Sequence, residues 1–233
     1  MRRTFVLFVS IFLFSNISMR AQGVDEDQLG AWYMYFWNTD FKDSEWGIQG
    51  DFQYRDWQVL GDREQLLLRS GVTYAPKNSG IKFTLGYANI STGVFGTDID
   101  DPVVENRIYQ EGLFSNTILK RVFLTHRFRY EQRWVEDQDF RTRYRYNLFA
   151  NVPINKLSLE KAAFYGAFYN EMFINGQRDI GDGRSVQFFD RNRTYFGLGY
   201  VIKKNLRTQL GWMRQTSNAI SKAQLQFSVH HSF

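Results

Sequence analysis

Apolar and polar residues alternate one by one through most of this chain, and that period constrains the fold more than any other feature. Side chains of a β-strand point to its two faces in turn, so each alternating run is a strand with one apolar and one polar face. Such runs occupy residues 45–55, 65–74, 81–88, 122–131, 140–152, 193–202, 206–215 and 223–233. The last is the cleanest: Ala223, Leu225, Phe227, Val229, His231 and Phe233 share one face, and Gln224, Gln226, Ser228, His230 and Ser232 the other. Segments 31–38, 105–117 and 158–173 are strand-like with a weaker period. No helical period competes after the first 22 residues, and Pro76, Pro102 and Pro153 are expected between strands, where no ladder hydrogen bond is lost.

The composition says where the apolar faces go. Aromatic residues make up 18% of the chain, yet mean hydropathy is only −0.43. A membrane barrel reconciles the two, because only every second residue meets lipid while the lumen stays polar. A strand of about ten residues, tilted, is long enough to cross a bilayer. A soluble sandwich or lipocalin-like barrel would instead have to pack all these rings inside. The expectation is therefore an all-β, single antiparallel up-and-down transmembrane barrel. Eleven runs are visible, but a single-chain bacterial barrel with both termini in the periplasm needs an even number, so the expected count is twelve, with ten the alternative.

Residues 1–21 read as a secretory signal. Arg2 and Arg3 precede an apolar stretch from Phe5 to Phe14, and a more polar exit ends at Ala21. The barrel is then expected over 22–233. The leader holds three arginines and no acid, so most of the formal charge of +5 belongs to it and the remainder is close to neutral. Nothing in that balance points to nucleic acid. With no cysteine, there is no disulfide framework and no lipid-anchored terminus.

The terminal strand, ending on a bare aromatic residue, looks like the signal read by the machinery that inserts bacterial outer-membrane barrels. Phe227, Val229 and Phe233 carry that resemblance. It implies an outer-membrane address, handling by periplasmic chaperones, and contact with outer-membrane lipid and lipopolysaccharide. It also sets an orientation: segments 76–80, 118–121, 153–157 and 203–205 become short periplasmic turns. Segments 57–62, 93–104, 135–139, 175–190 and 217–221 become outer loops. Tyr130, Trp134, Tyr144, Tyr146 and Trp212 then fall at the outer ends of strands, as an aromatic girdle should.

The most distinctive candidate site is a ladder of arginines on the polar faces. Arg127, Arg129 and Arg133 lie on one strand and Arg141, Arg143 and Arg145 on the next, with Arg193, Arg191, Arg207, Arg107, Arg69 and Arg55 elsewhere. Glu111, Glu131, Glu171 and Asp51 share the same face as possible acidic partners. Arginine stays charged and binds carboxylate or phosphate through two donors at once. The ladder is therefore either an anion-attracting constriction or a set of ion pairs bracing a filled lumen.

Other candidates are weaker. His126 falls on the apolar face between Leu124 and Phe128, a placement that resembles the outer-wall histidine of barrel phospholipases, but no serine accompanies it in the pattern. The acidic stretch Thr97–Asp101, with Glu136, Asp137, Asp139, Asp179 and Asp182, lacks the spacing of a calcium loop. No phosphate-binding glycine loop, zinc spacing, metal site or cofactor motif is present, and no catalytic residue is assigned.

Several stretches taken together resemble an uncharacterised family of Gram-negative outer-membrane barrels, a domain of unknown function numbered 2490. They include Ala31–Phe36, Gln53–Arg55, Gly61–Arg69, Glu105–Gln110, Arg127–Arg133, Tyr169–Glu171 and Asn192–Arg193. The resemblance spans roughly residues 30 to 233 and implies a barrel and an outer-membrane address, with no activity attached. The functional expectation is a porin-like small channel or structural surface protein with an arginine-rich lumen. The alternatives are a lipid-modifying barrel enzyme and an adhesion or docking surface made by the outer loops.

Overall fold

The computed structural model describes residues 26–96 and 101–233. The expected leader, residues 1–21, and most of the acidic stretch Thr97–Asp101 lie outside the described residues. Eleven strands follow one another: β1 Gly30–Asp40, β2 Trp46–Asp56, β3 Arg63–Tyr74, β4 Ile81–Thr92, β5 Val103–Ile118, β6 Val122–Val135, β7 Arg141–Pro153, β8 Phe164–Asn175, β9 Phe189–Lys203, β10 Leu206–Thr216 and β11 Ser221–Ser232. Each pairs antiparallel with the next, and β1 pairs with β11 to close the barrel.

The closing pair is parallel, with Gly30 opposite Gln224 and Asn38 opposite Ser232. This corrects the expected count: the barrel has neither twelve strands nor ten. The run at 31–38 is a full strand, paired on both sides. Its alternation was masked because both of its faces are apolar. Trp32, Met34 and Phe36 line the interior cavity, while Tyr33, Tyr35 and Trp37 take the other face. The inner face can be apolar because it meets an apolar cluster inside the barrel, formed by Trp32 with Ala163, Tyr165, Ala167, Tyr195, Val201 and Met213. With an odd number of strands, β1 starts at one rim and β11 finishes at the other, so the requirement for an even count does not apply.

The two rims differ. The connections 41–45, 75–80, 119–121, 154–163 and 204–205 lie at one end, and 57–62, 93–102, 136–140, 176–188 and 217–220 at the other. β8 begins at Phe164 rather than near 158, so one connection at the first rim is longer than expected. Pro153 is the last residue of β7, paired with Tyr165, rather than lying in a turn. The β5–β6 turn is short and holds an unusual backbone. There Arg121 N–H donates to Ile118 O (3.2 Å), and Leu119 and Lys120 both hold positive φ (49° and 57°). That geometry matches the right-handed twist of a hairpin but favours Asn or Gly over a leucine.

Apolar residues cover the outer wall. Phe52, Leu68, Phe83, Leu85, Phe128, Tyr144, Phe196, Leu198 and Leu210 are exposed there, while polar and charged residues outnumber apolar ones at the buried positions. Inside, tyrosines fold over glycines on neighbouring strands. A Cβ on Gly199 would meet the ring of Tyr165, and one on Gly86 that of Tyr109. The inward glycines thus make room for rings that would otherwise stand across the lumen.

Candidate functional site

Alternation sends Arg127, Arg129, Arg133, Arg141, Arg143 and Arg145 to the interior, where all but Arg127 are buried and Arg127 nearly so. Register then decides their partners. Glu131 lies directly across from Arg143, Glu111 across from Arg129, and Glu171 across from Arg193. Between these pairs like charges sit side by side: Arg129 beside Arg145, and Arg133 beside both Arg107 and Arg141. Each such contact is relieved by a glutamate one pleat along.

Glu131, only 1% exposed, is the hub. Arg143 donates to its Oε2 through Nε (2.9 Å) and Nη2 (2.7 Å), and Arg145 Nη1 donates to Oε1 (2.6 Å). Arg107 and Arg129 approach it at 3.8 and 3.7 Å. Glu171 Oε1 accepts from Arg145 Nε (2.8 Å) and Arg127 Nη2 (2.6 Å). Glu111 accepts from Arg129 Nε (2.7 Å) and lies 3.7 Å from Arg127. Between β2 and β3, Arg69 clasps Asp51 through two bonds of 2.8 and 3.0 Å. Charge-assisted, two-point bonds of this kind are the strong ones in a protein interior. The guanidinium of Arg129 also lies over Tyr109 (4.3 Å) and that of Arg145 over Phe173 (4.4 Å), so the rings cover charged faces that water would otherwise cover.

Sequence reasoning passed over three acids. Glu105 accepts from Arg107 (2.6 Å twice) and from Arg133 Nε (2.5 Å) and Nη2 (3.1 Å); it is in phase with Arg107, and extending the β5 pattern by one pleat would have found it. Asp190 accepts from Arg143 Nη1 (2.8 Å), and Glu64 accepts from the Trp32 indole (3.1 Å). Both are even-numbered on strands whose inward residues are odd. Register shifts at Phe173/Ile174 and at Arg55/Asp56 lie beside them and break the period.

Not every ladder member is neutralised. Arg193 hydrogen-bonds Gln215 (2.8 Å) and comes no nearer than 4.0 Å to Glu171. Arg141, Arg55 and Arg207 have no carboxylate within ion-pair distance among the described residues, and the Nε atoms of Arg141 and Arg55 have no hydrogen-bond partner. Arg55, Arg193 and Arg207 line a cavity of about 830 Å³, whose wall also includes the lattice members Arg127, Arg133, Arg143 and Arg145. Its lining runs from Ser217 and Ile220 at the long-loop rim to Asn151 and His230 near the other rim.

The remaining candidates separate from this site. His126 is on the outer wall, its Nδ1 2.8 Å from the Tyr146 hydroxyl, with the Phe114 ring close by. Among the described residues no serine bonds to it, so no nucleophile–base pair is assembled there. Phe227 and Val229 also face outward on β11. Phe233 lies 70% exposed beyond the strand end, its N–H donating to Asn38 O (2.9 Å). Asp182 pairs with Arg184 within its own loop (3.2 Å).

A closed, odd-stranded β-barrel with an ionic lattice in its lumen is the class that fold and site define. Residues 29–226 match the family described as a protein of unknown function, DUF2490, and the chain belongs to that family. No curated protein and no solved structure matches it.

Proposed function

We propose that this protein is an outer-membrane β-barrel with an arginine-rich lumen, braced by the arginine–glutamate lattice and carrying an anion-preferring path along it. The observation that carries the reading is the cavity lined toward both rims, where three arginines without a close carboxylate, Arg55, Arg193 and Arg207, stand against one carboxylate without a close cation, Glu64. The membrane address is supported by the outward apolar wall and the charged interior, the reverse of a soluble barrel's arrangement. Phe227, Val229 and Phe233, outward or free at the end of the chain, are accessible to insertion machinery and chaperones. The wall would meet outer-membrane lipid and lipopolysaccharide. Within the ladder, Arg127, Arg129, Arg133, Arg143 and Arg145 act as braces, and Arg55, Arg193 and Arg207 set the charge of the path. Purified, folded protein in planar bilayers should show discrete conductance with anions preferred over cations. Silent bilayers, or cation preference, refute the channel.

A second reading has its own observation. The 136–140 and 176–188 connections are joined, with Asp139 N–H donating to Ile180 O (3.0 Å) and Arg184 bonding to Asp137 O. Two loops held together make a firmer docking platform than either alone. Deleting residues 178–186 should abolish surface adhesion without altering barrel stability. Unchanged adhesion removes this reading.

A further inference from the structure

We propose that the lumen holds a built binding site for a compact oxyanion, the carboxylate or phosphate group of a small solute, between Arg55, Gln226 and Arg193. This deepens the anion-path reading and rests on it. Trp32 organises the site. Register places Arg55 directly across from it on β2 and Gln226 directly across on β11. The Arg55 guanidinium lies 3.7 Å from the indole centre and that of Arg193, reaching over from β9, 4.7 Å. Two guanidiniums thus converge on one ring.

Two buried donors there lack acceptors. Gln226 is 2% exposed; its Oε1 accepts from the Tyr169 hydroxyl (2.9 Å), which turns Nε2 away with nothing to bond. Arg55 is 6% exposed; Nη1 and Nη2 bond the neutral Gln65 and Gln53 (2.5 Å each), and Nε is unpartnered. Both residues line the cavity. Buried donors without acceptors are costly, and an oxyanion supplies the acceptors. The nearby carboxylate, Glu64, accepts from the Trp32 indole N–H and from Gln224 (3.5 Å); its charge offsets one of the two guanidiniums and leaves the other in excess. Glu171, at 4.0 Å, is claimed by Arg127 and Arg145. The excess charge and the free donors therefore coincide at one place in the lumen.

The test is calorimetric titration of the folded full barrel in detergent, at constant ionic strength. Inorganic phosphate, benzoate and chloride serve as separate probes. Phosphate or benzoate should bind saturably, and the tighter of the two identifies the group; chloride should not. R55Q and Q226L should each weaken binding at least tenfold. Q226E, which places a negative charge beside the anion, should abolish it even where R55Q fails to fold. Loop variant R184Q should bind as wild type does. Absence of saturable binding, or binding that R55Q and Q226L leave unchanged, overturns the site. Bilayer recordings separate the two readings: anion-preferring conductance without saturable binding overturns the site and keeps the path. Saturable binding in a silent barrel supports the site and overturns the path.

Discussion

Replacing Glu131 with glutamine should be among the most damaging single changes in the lumen. The side chain keeps its shape, but the hub loses its charge. In the native lattice its two oxygens accept three bonds of 2.6 to 2.9 Å from Arg143 and Arg145, with Arg107 and Arg129 within 3.8 Å. Glutamine retains one acceptor oxygen and turns an NH₂ donor toward guanidiniums that can only donate. Bonds to charged groups contribute about 1.5–3 kcal/mol each. Loss of one or two therefore agrees with the ~3–5 kcal/mol typical of breaking a buried ion pair by removing one partner. Urea unfolding of the barrel in lipid vesicles, followed by tryptophan emission, measures it. Adding R143Q should recover part of the loss, because the second substitution removes one of the stranded charges. A coupling of about 0.5–3 kcal/mol is expected between contacting residues. If E131Q unfolds within about 1 kcal/mol of wild type, the lattice is not a brace, and the reasoning above fails. The exposed Glu160→Gln variant provides the baseline.

Other outcomes follow from the same structure. Leu119→Asn should stabilise the β5–β6 turn by about 1 kcal/mol, because leucine is a poor occupant of positive φ; an unchanged or lowered unfolding midpoint counts against it. Phe128→Arg on the outer wall should cost about 2–4 kcal/mol in lipid vesicles relative to Phe128→Leu if the wall lies in a bilayer, and equal stabilities would place that wall in water. Glu45, in the 41–45 turn, accepts from the Lys77 backbone N–H (3.0 Å) and the Tyr74 hydroxyl (3.1 Å), which hold its carboxyl below the ordinary carboxylate value. Its contribution is therefore present above an unfolded pKa of about 4.3 and lost as pH falls through the lowered folded value. The difference in midpoint between wild type and E45Q should shrink over that interval, and a constant difference would contradict the assignment.

Much of the barrel was legible because its strands read on a period of two. Phe128 outward and Arg129 inward follow from counting alone. The closure was not legible, since β1 carries Trp32, Met34 and Phe36 on one face and Tyr33, Tyr35 and Trp37 on the other, and two apolar faces show no alternation. Ion pairs bracing the lumen were one of the two readings the arginine ladder allowed, but its pairing was not legible. Which glutamate meets which arginine depends on register across strands, as with Glu131 opposite Arg143. Asp190 and Glu64 were hidden for a third reason: a register shift moves an even-numbered residue to the face of the odd ones. The pair of free donors at Trp32 required knowing that β1 lies between β2 and β11.

The parallel seam separates two ideas that usually travel together, neighbouring strands and neighbouring chain ends. Gly30 and Ser232 belong to adjacent strands, yet they lie toward opposite rims: Ser232 pairs with Asn38, eight residues along β1 from Gly30, which is about 26 Å of strand. A short peptide cannot join them, so this barrel is not a ring of hairpins that could be reopened at any turn. Its wall consists of five hairpins and one unmatched strand, and whichever rim the chain's last strand reaches, the first residue of its wall is anchored at the other.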